Sequence, residues 1–437
     1  VGRLITVEEH RAAILDAVLP GEPLPVPVAD ADGLVLAADV CALLALPPFD
    51  NSAMDGYAVR AADVAGATPR RPVRLRVVAD LPAGSPQDPD LRPGTCARIM
   101  TGAALPGSAD AVVPVEATDG GTDVVEVTAA VPAGRHVRRA AEDVTAGERV
   151  LPAGIVLGPH HVAAAAATGH AVLSAVPRPR VAVVSTGSEL VPPGAVPRRG
   201  QIPDSNSFLL AACVRAAGCE AVRVGSVPDD AGRLGAVLEE LLDAGRAGPV
   251  DAVITSGGVS VGAYDVVKEL FADGARVAFV TVAMQPGKPQ GFGVIRRPDG
   301  ATVPLFALPG NPVSAYVSFE VFVRPALQVM RGLARRLADR PVVPAVAREG
   351  WRTPPGRRQY IPVRLGAGAG GWEVRPAGPR GSGSHLAVTL AAADGLGVVD
   401  AAVEEVRPGD TVRVMLTAPG PQQGPTALVP ADGRGAG

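Results

Sequence analysis

Two spacings of apolar residues alternate along the chain and divide it. A helical repeat begins at Thr6, a candidate N-cap, with Glu8 and Glu9 in the first turn and Ala12, Ile14, Leu15 and Val18 along one stripe. Pro20, Pro23 and Pro25 end it, because proline supplies no amide hydrogen to a helix. From residue 46 to 139 the period falls to two. Short runs such as Val73-Arg-Leu-Arg-Val-Val78 and Asp123-Val-Val-Glu-Val-Thr128, separated by Gly and Pro clusters, predict a small β domain. Residues 158–169 then read as an alanine-rich helix closed by Gly169.

Between 178 and 330 short apolar runs and helical stretches take turns. The strands are Val181-Ala-Val-Val184, Ala221-Val-Arg-Val224, Ala252-Val-Ile-Thr255, Val277-Ala-Phe-Val-Thr-Val282 and Val303-Pro-Leu-Phe-Ala307. Helices are expected over about 207–217, 230–244, 264–271 and 312–329. Strict alternation predicts a doubly wound, mostly parallel α/β domain. Past residue 333 the period of two returns, in Gln359-Tyr-Ile-Pro-Val-Arg-Leu365 and Thr411-Val-Arg-Val-Met-Leu416, and predicts a terminal β domain. From 418 to 437 Gly, Pro and Gln dominate, so a disordered tail is expected.

Composition narrows the chemistry. The 437 residues are 47% hydrophobic but only 3% aromatic, so the cores must be built from Ala, Val and Leu. A net charge of -3, with both signs spread along the chain, gives no basic field for a nucleic acid. The four cysteines form no CxxC pair and the six histidines no HExxH, which argues against a zinc site built by the protein. No run of about 18 apolar residues and no leading signal segment is seen, and a soluble, cytoplasmic protein without membrane contact is expected. Of 41 cationic residues only Lys268 and Lys288 are lysines. Lys288 lies in Met284-Gln-Pro-Gly-Lys-Pro289, where prolines restrict the backbone and a compact ammonium suits an oxyanion.

Ligands of an open parallel sheet bind beyond the carboxyl ends of its strands, so a site is expected there. The ends read Ser185-Thr-Gly-Ser-Glu189, Ser226-Val-Pro-Asp-Asp230, Ser256-Gly-Gly-Val-Ser-Val-Gly-Ala-Tyr-Asp265, the Lys288 loop, and Leu308-Pro-Gly-Asn-Pro-Val-Ser314. Ser256, Gly257 and Gly258 let backbone amides approach a phosphate. Glu189, Asp229, Asp230 and Asp265 offer the hard oxygens that magnesium takes, although Asp229 and Asp230 also stand where a helix cap belongs.

Together with Phe49-Asp-Asn-Ser-Ala-Met-Asp-Gly-Tyr-Ala58 and Arg98-Ile-Met-Thr-Gly-Ala103, these motifs resemble, in order and over residues 4–416, the molybdopterin molybdenumtransferases of the MoeA and gephyrin E-domain family. The resemblance implies a helical linker region from residues 1–45 and 140–177, a β domain inserted at 46–139, an α/β domain over 178–330 like the molybdopterin adenylyltransferases, and a β barrel over 331–417. It also implies a homodimer whose active site is shared between subunits. The implied reaction joins molybdate to adenylylated molybdopterin, with Mg2+, and releases AMP. A molybdopterin adenylyltransferase would then be the upstream donor, and adenylyl transfer itself is the alternative activity.

Carried over by motif, Lys288, Asp55, Thr101 and Asp143 are the implied catalytic residues. Glu189, Asp229 and Asp265 are the implied metal ligands. Ser256, Gly257, Gly258, Pro289, Ser314, Arg357 and Ser384 are the implied binders of pterin, nucleotide and molybdate, with Arg358 and Ser382 as alternatives to Arg357 and Ser384. One position departs from the pattern: Gln285 stands where many members carry a lysine.

Overall fold

The structure, a computed structural model, describes residues 4–243, 248–259, 266–271, 277–368, 370–378 and 387–417. The expected tail from 418 lies outside the described residues. The chain forms two compact units: Val1–Leu24, Gly33–Val35 and Val176–Gly437 make one, Pro25–Asp32 and Leu36–Ala175 the other.

The first unit is built on a seven-stranded sheet. Its strands are β1 (Leu4–Ile5), β2 (Arg180–Thr186), β3 (Glu220–Val227), β4 (Ala252–Ser256), β5 (Val277–Val282), β6 (Pro289–Arg296) and β7 (Thr302–Leu308), in the order β1-β5-β6-β7-β4-β2-β3. β3, β2, β4 and β7 are parallel, whereas β6 runs antiparallel to both neighbours. Sequence periodicity did not anticipate β6. Its two glycines resemble a turn signal, but Gly291 is there because a Cβ would lie 2.8 Å from the Phe279 ring and 2.9 Å from Ala307 Cβ.

Helices cover both faces of the sheet, which is why β2 and β4 are apolar at nearly every position. Val181, Val183, Ile254 and Phe306 face a core shared with α1 (Val7–Ala17), α2 (Asn206–Ala216), α5 (Pro312–Ser318) and α6 (Arg324–Met330). Ala182, Val184, Val253 and Leu305 point the other way, toward α3 (Ala231–Leu242) and α4 (Val266–Leu270). Full burial of one such Val, Leu or Phe side chain contributes about 1.5–3 kcal/mol. α1 starts at a complete capping box: Glu9 N donates to Thr6 Oγ1 at 3.0 Å and Thr6 N to Glu9 Oε2 at 2.8 Å.

The rest of this unit is a closed five-stranded barrel of β8 (Val342–Ala347), β9 (Arg358–Gly368), β10 (Gly371–Pro376), β11 (Gly395–Val399) and β12 (Thr411–Leu416). β9 pairs with β10 on one side and β11 on the other, so no main edge is left open. A short strand, Met284–Gln285, pairs with the start of β9, matching Met284 to Arg358 and Gln285 to Gln359.

The second unit contains a five-stranded mixed sheet, in spatial order Val124–Val127, Val73–Leu81, Thr95–Ile99, Gly56–Val59 and Ala111–Pro114. Tyr57, Leu75, Val113 and Val125 pack on one side and Ala58, Leu81, Ile99 and Val112 on the other. The alanine-rich helix spans Pro159–Ala167, and Gly169 beyond it takes φ +97° as a helix terminator does.

Candidate active site

The carboxyl ends of β2, β4 and β7 open onto a cleft of about 590 Å³ lined by Thr186, Glu189, Asn206, Asp229, Ser256, Gly257 and Gly258, with Pro289 and Pro309–Pro312 on another wall. Two glycines set its floor. Gly257 takes φ +103°, and a Cβ there would sit 2.4 Å from the Thr186 carbonyl oxygen. Gly258 takes φ +68°, with Val267 Cγ2 at 2.7 Å from the same hypothetical atom. No side chain fits either position, so the main chain itself faces the cleft.

Three carboxylates, Glu189, Asp204 and Asp229, line this wall, with Asp230 next to the last, and they differ in what they are free to do. Asp204 is buried and saturated, accepting from Ser185 Oγ at 3.0 Å, Ser207 N at 3.1 Å and Ser207 Oγ at 2.5 Å. Asp229 is exposed and exchanges hydrogen bonds with Ser188, accepting from Ser188 N at 2.9 Å while its own N donates to Ser188 Oγ at 3.1 Å. Asp230 caps α3, its Oδ1 accepting from Arg233 N at 2.8 Å. The two roles left open between these neighbours are therefore divided: Asp230 caps and Asp229 faces the cleft. Glu189 is exposed beside it. Among the described residues no group of three or more His, Cys, Asp or Glu gathers as a metal cage. Two carboxylates of hard oxygen do fit magnesium, which takes one or two from the protein and the rest from phosphate and water. Asp265 lies outside the described residues.

Lys288 is exposed and adjoins Pro289, which lines the cleft. Its loop is firmly held. The Gln285–Pro286 peptide is cis, Gly287 takes φ +98°, and the buried Gln290 amide donates to Gly287 O and to Ser318 Oγ, both at 2.6 Å. The Met284–Gln285 ladder to β9, with Arg358 N donating to Ala283 O at 3.0 Å, sets the Gly356–Arg357 turn beside this loop. Arg358 is committed to ion pairs with Glu8 and Asp400, whereas Arg357 has no side-chain hydrogen bond among the described residues. Of the two candidate arginines, Arg357 is the one left available. Trp351 Nε1 donates to Gln359 Oε1 at 3.0 Å at the head of the same ladder. Ser314 is buried in α5 and is not part of the cleft wall, and Ser384 lies outside the described residues.

In the second unit, Gly56 pairs with Ile99, which brings the flanking Asp55 and Thr101 together. Thr101 N and Oγ1 both donate to Asp55 Oδ1 at 2.7 Å. The Thr101 amide, then its hydroxyl, hold the Asp55 carboxyl below its usual range. Asp143 is exposed, with its amide donating to Leu46 O at 2.9 Å.

Sequence reading passed over Asp204 and Asn206, which stand in Ile202-Pro-Asp-Ser-Asn206. The signal was there as a polar run before a helix, but it reads as capping. All four cysteines are free, and burial pushes the thiols of Cys96, Cys213 and Cys219 up to about 12. These three sit among apolar side chains and are structural.

Residues 5–169 match the family described as the MoeA N-terminal region (domain I and II), 182–329 a probable molybdopterin binding domain, and 344–417 the MoeA C-terminal region (domain IV). Molybdopterin molybdenumtransferase 2 of Mycobacterium tuberculosis is 46% identical over 415 residues, covering 94% of this chain and 98% of its own. Molybdopterin molybdenumtransferase 1 of that organism is 38% identical over 431 residues, and the Nostoc sp. molybdopterin molybdenumtransferase 37% over 388. Among solved structures, the molybdopterin biosynthesis MoeA protein of Pyrococcus horikoshii superposes with a TM-score of 0.77 at 30% identity, covering 95% of this chain and 99% of that one.

Proposed function

This chain belongs to the molybdopterin molybdenumtransferase family, a transferase of molybdenum cofactor biosynthesis, and we propose that it joins molybdate to adenylylated molybdopterin with release of AMP. The observation that carries this reading is the cleft itself: a glycine floor and two exposed carboxylates, with Pro289 of the loop that carries the sparingly used Lys288 on another wall.

In the Ser256-Gly257-Gly258 turn Gly257 N is engaged by Leu308 O at 3.0 Å, so it is the Gly258 amide that would meet a phosphate oxygen. Glu189 and Asp229 would hold magnesium, which when bound supplies positive charge next to the departing phosphate. Lys288 and Arg357 would hold molybdate, a tetrahedral dianion, against its repulsion by the substrate phosphates. Most of the catalytic effect would come from placing charges before the reaction rather than from proton transfer. Asp55, Thr101 and Asp143 would serve the same reaction, in a homodimer, in the cytoplasm.

The test is AMP release by the purified protein from adenylylated molybdopterin, with and without molybdate and with and without magnesium. Release that needs both supports the proposal. Release that ignores molybdate, or consumption of ATP with molybdopterin alone, would favour adenylyl transfer instead.

A further inference from the structure

Asn206 opens α2 beneath the cleft and is only 9% exposed. Its Nδ2 donates to the Gly310 carbonyl at 2.6 Å and to Ser256 Oγ at 2.8 Å. A backbone carbonyl can only accept, so the Gly310 contact fixes which end of the amide is nitrogen. The other end, Oδ1, is buried without a hydrogen-bond partner among the described residues. An amide with its nitrogen fully engaged and its oxygen stranded is held by its donors, and one of those donors is spent on a serine hydroxyl.

That serine is where the consequence falls. Ser256 Oγ receives a hydrogen from Asn206, so its own hydrogen must point elsewhere. Ser256 is 1% exposed, lines the cleft and precedes the two glycines of the floor, and no acceptor for that hydrogen stands among the described residues.

We infer that Asn206 is a positioning residue that sets the polarity of Ser256, obliging its hydroxyl to donate into the cleft to an acceptor oxygen of the bound substrate. This rests on the cleft being the molybdopterin site. The acceptor is an oxygen of the phosphate or of the pterin ring, since both present lone pairs and neither can replace Asn206 as donor to Ser256. Asn206→Asp reverses the arrangement: either carboxyl oxygen facing Ser256 accepts its hydrogen, which is then lost to the substrate.

The experiment compares wild type, Ser256→Ala, Asn206→Asp and the double variant in molybdate-dependent AMP release, with melting temperatures recorded. Ser256→Ala should raise KM for adenylylated molybdopterin about tenfold and leave kcat within about twofold. Asn206→Asp should do the same, and the double variant should be no worse than Asn206→Asp alone. Calorimetric binding of AMP and of metal-free molybdopterin to Ser256→Ala shows, by which of the two weakens, whether the acceptor oxygen lies on the nucleotide half or the molybdopterin half of the substrate. A Ser256→Ala protein that keeps the wild-type KM and binds both probes normally overturns the inference, even if Asn206→Asp fails to fold. So does a double variant that loses the product of the two single effects. Absence of AMP release by wild type would instead count against the proposed activity, and the binding arm would still decide the role of Ser256.

Discussion

Under the proposed function, Lys288 is the residue on which the oxyanion site would depend most directly. It carries one compact charge at the end of a clamped loop, and Gln285, two residues before Gly287, is neutral where a second cation would otherwise share the work. Losing a preorganised charge of this kind costs about 3 kcal/mol, so Lys288→Ala should lower molybdate-dependent AMP release about a hundredfold. Lys288→Arg should also be impaired, because a planar guanidinium projects differently from an ammonium; full activity in that variant would remove any special role for the lysine. This residue was legible in the sequence because the chain writes Lys so rarely. Asn206 was not, since an asparagine before a helix has a sufficient explanation as a cap, and only its contacts reveal a second one.

A second residue gives the fold a pH dependence. His10 is buried against Phe322, ring centroids 4.7 Å apart, and burial lowers its imidazole from 6.5 to about 4. The unfolded chain therefore takes up a proton first on acidification. The contribution of His10 is complete above pH 6.5 and declines as the pH falls toward 4, by about 3 kcal/mol in all. Melting temperature should fall across that window, and His10→Met should flatten that part of the profile.

At the scale of the element, the stretch from Pro312 to Met330 shows what periodicity captures and what it misses. The apolar spacing predicts one helix, and the chain does coil continuously from α5 to α6. Its middle, Phe319–Val323, is wound wider as a π segment. Pro325, which has no amide hydrogen to give, follows after Arg324. The wider turn carries Glu320 into the interior at 3% exposure, where its carboxylate accepts from Arg340 Nε at 2.9 Å and Nη2 at 3.1 Å. Removing one member of a buried pair strands the other, so Arg340→Ala should destabilise the protein by about 3–5 kcal/mol in denaturant unfolding. Replacing both members with apolar residues should cost less than either single change.

Strand β6 was lost to the sequence for the opposite reason, since Gly291 fits tight packing between strands and not a turn. The strand has a functional consequence. By running antiparallel it begins at the carboxyl end of the sheet, beside the end of β7, and that is what puts Pro289, next to Lys288, at the cleft.

For the molecule as a whole, the alternation of strands and helices, the mostly parallel sheet and a terminal β domain could be read from apolar spacing alone, because burial on one face or two leaves a period in the sequence, whereas the closure of that domain into a barrel was implied by the family resemblance. What spacing cannot carry is which loops meet, since that depends on sheet order. The proposed homodimer has a simple check: sedimentation should give twice the 44.1 kDa chain mass. A further observable comes from the stitching of Met284–Gln285 onto β9. The chain has two tryptophans, Trp351 and Trp372, both in the barrel unit's sequence, and Trp351 is hydrogen-bonded to the residue that pairs with Gln285. Occupancy of the Lys288 loop should therefore be visible as a change in intrinsic fluorescence. A Trp372→Phe protein, left with a single emitter at the head of that ladder, would report oxyanion binding optically, with no turnover required.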